Sequence, residues 1–317
     1  MKSISKLFAV GVWLSTAVFA AQLQASKIIT HSTVATDSTY STIGLFDAQT
    51  RPVQVSKQFE FTEGPAVDKK GNVFFTDQPN DAIWEYDTQG KLSKFAGPSG
   101  RSNGMYFDRK GNLISCADDN NELISFSPDK KRTVLLKNFE GHRLNGPNDL
   151  WVDAHGGIYF TDPLYVRDYW NGRKPDISGE KVYYLPSGKT EAQVLPIQVQ
   201  KPNGIVGTAD GKYLFVADIG ANKTYKFDIA ADGKLTNQRL FTQQGSDGMT
   251  LDSQGNVYLT GSKGVYIYNP QGIQIGLIAI AEPWTANVAF GGKHKDVLFI
   301  TASKAVYTMQ MKVHGIE

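Results

Sequence analysis

The sequence predicts an all-β protein, a six-bladed β-propeller closed by strands from both ends of the chain. Three observations lead there. A hairpin pattern recurs with its anchor at Asp68, Asp108, Asp153, Asp210, Asp252 and Gly292, at intervals of 40 to 57 residues. Most of those intervals have the length of a four-stranded blade. Each copy is followed by further strand-like runs, such as IWEYD at 83–87 and KLSKF at 91–95, split by Thr88-Gln89-Gly90. No segment holds a long apolar helical period, so helices should be few. A two-sheet sandwich competes, but six copies at blade spacing count against it.

The copy at 245–261 is the clearest. Met249 to Asp252 and Asn256 to Thr260 are two strand arms, and Ser253-Gln254-Gly255 is the turn between them. The last unit offers strands at 285–290, 296–301 and 305–313 and then lacks a fourth. The segment 52–59 (PVQVSKQF) is free to fill that place, which would close the ring without an exposed seam.

Residues 1–25 read as a secretory signal. Lys2 and Lys6 precede an apolar run from Leu7 to Ala20, and Ala20, Ala21 and Ala25 suit cleavage. The mature protein is expected in the periplasm or outside the cell. Residues 26–50 read as a polar N-terminal extension, and 51–317 as the six-bladed propeller. Removing the two signal lysines leaves 31 basic and 31 acidic residues from 33 and 31. A surface without net charge gives no reason to expect nucleic acid, or a membrane once the signal is cut. Cys116 is the single cysteine and falls in a strand run, so a buried thiol is expected.

One position carries the functional signal. Five residues before the anchor stand Glu63, Asn103, Asn148, Asp247 and Asn287, and Asn203 is the counterpart seven before Asp210. All six are carboxylates or carboxamides. If the first arm of each hairpin is the innermost strand, these residues make a polar ring at one mouth of the channel. The second arms end at Asp77, Asp118, Asp162 and Asp218 on the same side, suited to capping turn amides or to orienting the ring. The longest interval follows Asp162-Pro163. Its insertion brings Tyr165, Arg167, Tyr169 and Trp170 to the ring side, where they either wall a sugar pocket or form an ordinary packed loop. Arg101 either holds an oxygen-rich ligand or lies on the surface. Trp284 reads as a blade-packing residue.

The chemistry allowed by this ring is that of hard cations. The five histidines are scattered and none occupies a ring position. An all-oxygen donor set suits calcium or magnesium better than zinc. A plain ring of polar residues around water is the competing reading. No G-x-S-x-G, His-Glu-x-x-His or phosphate loop is present. A hydrolase of this design would use a cation to polarise a carbonyl, Asp247 as general base, and Asn103 and Asn148 to orient substrate.

The motifs FTEGPAVD (61–68), LNGPNDLWVD (144–153), KPNGI (201–205), GSDGMTLD (245–252) and WTANVAFGG (284–292) resemble the gluconolactonase, senescence marker protein and luciferin-regenerating enzyme family. They span essentially the whole mature chain. The resemblance implies one divalent metal, usually calcium, with magnesium, manganese or zinc as alternatives. It implies Glu63, Asn203 and Asp247 as metal ligands, Asn148 as the asparagine that contacts substrate or completes the metal shell, and Asp247 as the acid/base. The implied reaction opens a sugar lactone such as glucono-1,5-lactone to the aldonic acid. The sequence departs from the animal enzymes at Gly146, where they carry an arginine, and Arg143 or Arg101 is the candidate substitute. The expected substrate site is therefore Asn148, Asn103, Arg101, Tyr169 and Trp170. Two other readings remain: a hydrolase of another lactone or a phosphotriester, and a propeller that binds a ligand without turnover.

Overall fold

A computed structural model describes residue 42 and residues 44–316. The signal peptide, its cleavage site and the remainder of the N-terminal extension lie outside the described residues. Strand β1 (Val53–Ser56) precedes the first complete blade, β2 (Thr62–Val67), β3 (Val73–Asp77), β4 (Ala82–Tyr86) and β5 (Leu92–Ala96). The second blade is β6 (Ser102–Phe107), β7 (Leu113–Ala117), β8 (Glu122–Phe126) and β9 (Arg132–Leu136). The third is β10 (Leu150–Val152), β11 (Ile158–Asp162), β12 (Lys181–Leu185) and β13 (Gln193–Val194). The fourth is β14 (Pro202–Gly207), β15 (Tyr213–Asp218), β16 (Lys223–Ile229) and β17 (Leu235–Thr242). The fifth is β18 (Met249–Leu251), β19 (Val257–Gly261), β20 (Gly264–Tyr268) and β21 (Gln274–Ala279). The sixth is β22 (Thr285–Gly291), β23 (Val297–Ala302) and β24 (Ala305–Gln310), with β1 as its outer strand. The expected six-bladed propeller is the observed one. Among the described residues the only helical pieces are two short 3-10 turns, Gln78–Asn80 and Asp168–Trp170.

Ring closure works as the sequence suggested. Val53 pairs with Thr308 and Gln54 with Tyr307, antiparallel, so the first described strand completes the last blade. Blade-to-blade packing explains why the second strands read as nearly continuous apolar runs: every residue of β3, β7, β11 and β19 up to Thr260 is buried. Aromatic rings bridge neighbouring blades, with Phe74 5.1 Å from Phe107, Tyr258 5.2 Å from Phe290, and Phe75 5.4 Å from Phe299. The last contact crosses the closing seam. Leu45 and Phe46 are also buried, in the cluster that includes Tyr258, Ile267 and Val288.

The repeat anchors have a structural reason. Asp68 Oδ1 accepts hydrogen bonds from the amides of Lys70 and Asn72, and Asp108, Asp153 and Asp252 do the same in their own turns. Each anchor closes a tight hairpin turn. The arms on either side are thereby held in register, and the ring residue falls at the opposite end of the first arm.

Phe299 is fully buried between Phe75 and Tyr86 at the closing seam. Phe299→Ala should cost about 3–5 kcal/mol of unfolding free energy, measured by urea denaturation. A loss below about 1 kcal/mol would show that the seam does not depend on this contact.

Candidate functional site

The six ring residues come together at one mouth. Glu63, Asn103, Asn203 and Asn287 lie within β2, β6, β14 and β22, and Asn148 and Asp247 stand just ahead of β10 and β18. Five of the six side chains are buried, and Asp247 is partly open to the cavity. The ladder breaks at this level: register shifts fall between Glu63 and Ala66, Ser102 and Met105, Pro202 and Ile205, and Thr285 and Asn287. An extra residue in one strand bends it and re-aims its side chains.

Glycine after the ring residue lets neighbouring blades touch backbone to backbone. A Cβ on Gly64 would lie 1.9 Å from the Asn103 carbonyl oxygen, and one on Gly248 would lie 1.9 Å from the Asn287 side chain. Gly104 uses the same closeness to donate its amide to the Asn148 carbonyl at 2.8 Å. Threonines one strand out pin the ring backbone: Thr161 Oγ1 donates to the Asn203 carbonyl at 2.8 Å, and Thr260 Oγ1 to the Ala286 carbonyl at 2.9 Å.

Above this floor lies a cavity of about 310 Å³ lined by Phe61, Glu63, Gln78, Asn103, Asn148, Tyr165, Arg167, Ile219, Asp247 and Trp284. Of the expected substrate residues, Asn103 and Asn148 are on its wall. Arg101, Tyr169 and Trp170 stand behind it. Arg101 stacks 4.1 Å over the Tyr169 ring and donates to the Pro79 carbonyl. Tyr169 and Trp170 both donate to Asp118, through the phenol and the indole. Their polar groups are consumed in holding the insertion down, so Tyr165 and Arg167 take the positions facing the cavity. Arg143 is turned to Asp176 at 3.0 Å and does not replace the guanidinium absent at Gly146.

Two further residues escaped the sequence reading. Trp284 is no blade filler: its indole donates to Asp247 Oδ2 at 2.6 Å. Asp149 occupies the place that glycine holds after four of the ring residues, and it is buried. Its Oδ1 accepts from the Leu150 amide at 3.0 Å and its Oδ2 from the Ile205 amide at 3.4 Å. The break in the residue-plus-glycine pattern at Asn148-Asp149 was a visible signal.

The electrostatics are those of acids taken out of water. Burial, then the neighbouring Asp247 charge, hold the Glu63 carboxyl well above its ordinary range, against hydrogen bonds from the Gly64 amide and the Asn287 side chain. Burial also raises Asp247, opposed by hydrogen bonds from Trp284 and Asn203, by the charge of Arg167 and by a hydrogen bond from Glu63. Burial pushes Asp149 to about 7, with its two backbone amides acting against it.

The donor set fits a hard divalent cation. Among the described residues no three His, Cys, Asp or Glu side chains cluster at ligand spacing. The oxygens here are two carboxylates and amide carbonyls. Asn103 Oδ1 and Asn203 Oδ1 are buried without a hydrogen-bond donor. A buried acceptor left unpaired costs free energy that a cation would recover. Asn203 is held with Nδ2 on the Tyr165 hydroxyl at 3.0 Å, which fixes its amide plane.

The aspartates at the ends of the second strands have separate roles. Asp77, Asp162 and Asp218 cap backbone amides of the loop entering their own inner strand, at Glu60 and Phe61, Asn145 and Gly146, and Gln200 and Lys201. They orient the ring through its backbone. Asp118 differs, since its Oδ2 takes side-chain donors from Gln78, Arg167 and Tyr169.

Comparison with known proteins agrees with the geometry. The family model described as the SMP-30/Gluconolactonase/LRE-like region matches residues 61–304. A gluconolactonase from Zymomonas mobilis is 27% identical over 303 residues, covering 86% of this chain and 84% of its own. A diisopropyl-fluorophosphatase from Loligo vulgaris is 26% identical over 252 residues, covering 70% of this chain and 79% of its own. Among solved structures, a gluconolactonase from Xanthomonas campestris superposes with a TM-score of 0.80 at 23% identity, over 86% of this chain and 93% of its own. A calcium-binding regucalcin from Agrobacterium tumefaciens superposes at 0.71 and 18% identity, over 84% and 95%. These two likenesses speak for the fold. With the matched region running from the first inner strand to the sixth blade, the chain belongs to the SMP-30/gluconolactonase/LRE-like family.

Proposed function

We propose that the protein hydrolyses a sugar lactone of the glucono-1,5-lactone type to its aldonic acid, with a divalent cation held by Glu63, Asn203 and Asp247. The observation that carries this reading is the pair of orphaned amide oxygens, on Asn103 and Asn203, beside two acids on the floor of an open cavity. The Zymomonas mobilis relative, a gluconolactonase by name, supports the lactone, and the fold shared with a calcium-binding regucalcin supports calcium as first choice.

A cation bound there would supply Lewis acidity to the lactone carbonyl. The chain's own residues do the remainder. Asn103 and Asn148 line the cavity and orient the lactone by hydrogen bonds. Trp284 fixes the Asp247 carboxylate, which takes the proton of the attacking water. The water oxygen bonds to the carbonyl carbon, the bond to the ring oxygen breaks, and that oxygen leaves with a proton as the hydroxyl of the aldonic acid. Phe61, Ile219 and Trp284 supply apolar wall, which limits water at the reacting carbon.

Resemblance to the Loligo vulgaris phosphatase keeps a phosphotriester in view as a second reading, since the same oxygen cage would polarise a phosphoryl oxygen. The deciding assay follows glucono-1,5-lactone and the phosphotriester paraoxon in parallel. The protein is stripped with chelator and then resupplied with calcium, magnesium, manganese or zinc, and spontaneous lactone opening is subtracted. Metal-restored lactone turnover is expected. Turnover of the phosphate ester alone would replace the lactone reading.

Asp247→Asn should lower kcat by about a hundredfold or more and weaken calcium binding, read by steady-state kinetics and calorimetry. Wild-type rates in this variant would remove Asp247 from both roles.

The raised carboxyls also set a pH dependence. Their folded-state values lie above the unfolded ones, so they contribute stability that is present in acid and lost as pH rises, for Asp149 as pH approaches about 7. The chelated protein should therefore melt at a lower temperature at about pH 8 than at about pH 5. Calcium displaces those protons, so its affinity should rise over the same interval and cancel the loss. Equal melting temperatures of the chelated protein at both pH values would sink this account.

A further inference from the structure

The insertion between β11 and β12 is tied down as a strap across the mouth. Arg167 Nε donates to Asp118 Oδ2 at 2.7 Å, and the Asp118 side chain is only 3% exposed. Tyr169 adds its hydroxyl to the same oxygen at 2.6 Å, and the Trp170 indole donates to the Asp118 carbonyl at 2.9 Å. Arg173 donates to the Asp119 carbonyl and to Asn121 Oδ1, further along the same blade. On the other side Tyr165 accepts from the Asn203 amide and lies 4.5 Å from Lys201 Nζ. Arg167 is thus fixed at its Nε edge, lines the cavity, and is 27% exposed. No described residue accepts from its two Nη groups.

Resting on the lactone reading, we propose that Arg167 is a specificity-determining residue that donates its Nη hydrogen bonds to the ring hydroxyls of the substrate, selecting polyhydroxylated lactones over unsubstituted ones. Three features carry this. The guanidinium is planar and presents its donors as a fixed fork, which suits adjacent hydroxyl oxygens. Its rotamer is already fixed by Asp118, so little further ordering is needed on binding. Its charge is balanced by the Asp118 carboxylate, so an uncharged acceptor suits it. A substrate without hydroxyls would leave those donors unpaired against the wall, which is how such a site rejects it. Arg101 does not share the task, since it is committed to Tyr169 and to Pro79.

The test compares glucono-1,5-lactone with δ-valerolactone, the same ring without hydroxyls, in the calcium-loaded wild type and in Arg167→Met. In the wild type kcat/KM should favour the hydroxylated lactone by about tenfold or more. In Arg167→Met the KM for glucono-1,5-lactone should rise about tenfold and that for δ-valerolactone should not, while any change in kcat from losing the Arg167 charge near Asp247 falls equally on both lactones. Equal rises in KM on both lactones would mark a structural role and overturn the proposal, as would an unchanged KM for glucono-1,5-lactone. Should the methionine variant lose its native melting transition, Arg167→Lys carries the same comparison, because an ammonium lacks the fork.

A second readout separates this inference from the lactonase reading. Calorimetry with the opened acids, D-gluconate and 5-hydroxypentanoate, needs no turnover. Preference for gluconate in the wild type, lost in the variant, supports Arg167 even if no lactone is hydrolysed, and in that case the catalytic reading alone falls. Equal affinity for the two acids in the wild type overturns the assignment of Arg167 whatever the kinetics show.

Discussion

The close approach of six inner strands around one axis is the constraint on which the molecule depends. Backbone must meet backbone there, and side chains at the contact must vanish or point into the channel. The missing Cβ at Gly64 is the local form of that demand, with 1.9 Å to the Asn103 carbonyl oxygen. Once the strands are that close, the residue before each glycine has one direction left, toward the axis. The polar ring is a consequence of packing as much as of chemistry. The same crowding removes water, which raises the acids and leaves amide oxygens without donors. A fold that closes this tightly thus prepares the desolvated oxygen cage that a hard cation requires.

The ring shows how unlike carboxyls share one low-dielectric space. Asp247 receives three hydrogen bonds and the field of Arg167, whereas Glu63 has a backbone amide and the Asn287 side chain. Asp149 is held by two backbone amides, against its burial and the repulsion of the Asp247 charge. The best-solvated acid by hydrogen bonding is the one that faces the cavity and meets Trp284. Its partners, and not its residue type alone, thus set Asp247 apart from the other buried acids.

Much of this was legible in the chain because the fold is repetitive. A carboxylate or carboxamide recurs five places before the turn anchor in five copies and seven before it in the fourth, which places it on the same strand end, so the ring could be aligned without coordinates. Glu63, Asn103, Asn148, Asn203, Asp247 and Asn287 do meet. What could not be read was everything that depends on a single copy. The insertion was assigned to the correct mouth, yet its four candidate side chains divide in space: Tyr165 and Arg167 face inward, and Tyr169 and Trp170 turn to Asp118. Neighbours along a loop carry no periodicity that would sort them, and the sorting is made by a blade that is distant in sequence. Trp284 was misjudged for the same reason, since an indole packs or donates depending on what stands opposite.

Asp118 joins the repeat to the insertion. In the first, third and fourth blades the aspartate at the end of the second strand is spent on backbone amides, which steadies the loop entering its own inner strand. In the second blade that carboxylate is left to side chains, and the strap of the third blade takes it. A structural cap has been reassigned, with no change of residue type, into the anchor of a guanidinium at the cavity wall. Sequence identity at the position hides the difference, because Asp118 and Asp162 look alike in their strands. The difference arises in what reaches them: backbone amides from the loop at 145–146 in one case, and Gln78, Arg167 and Tyr169 in the other. The polar floor is thus built from what the blades share, and the wall above it from what one blade lends to another.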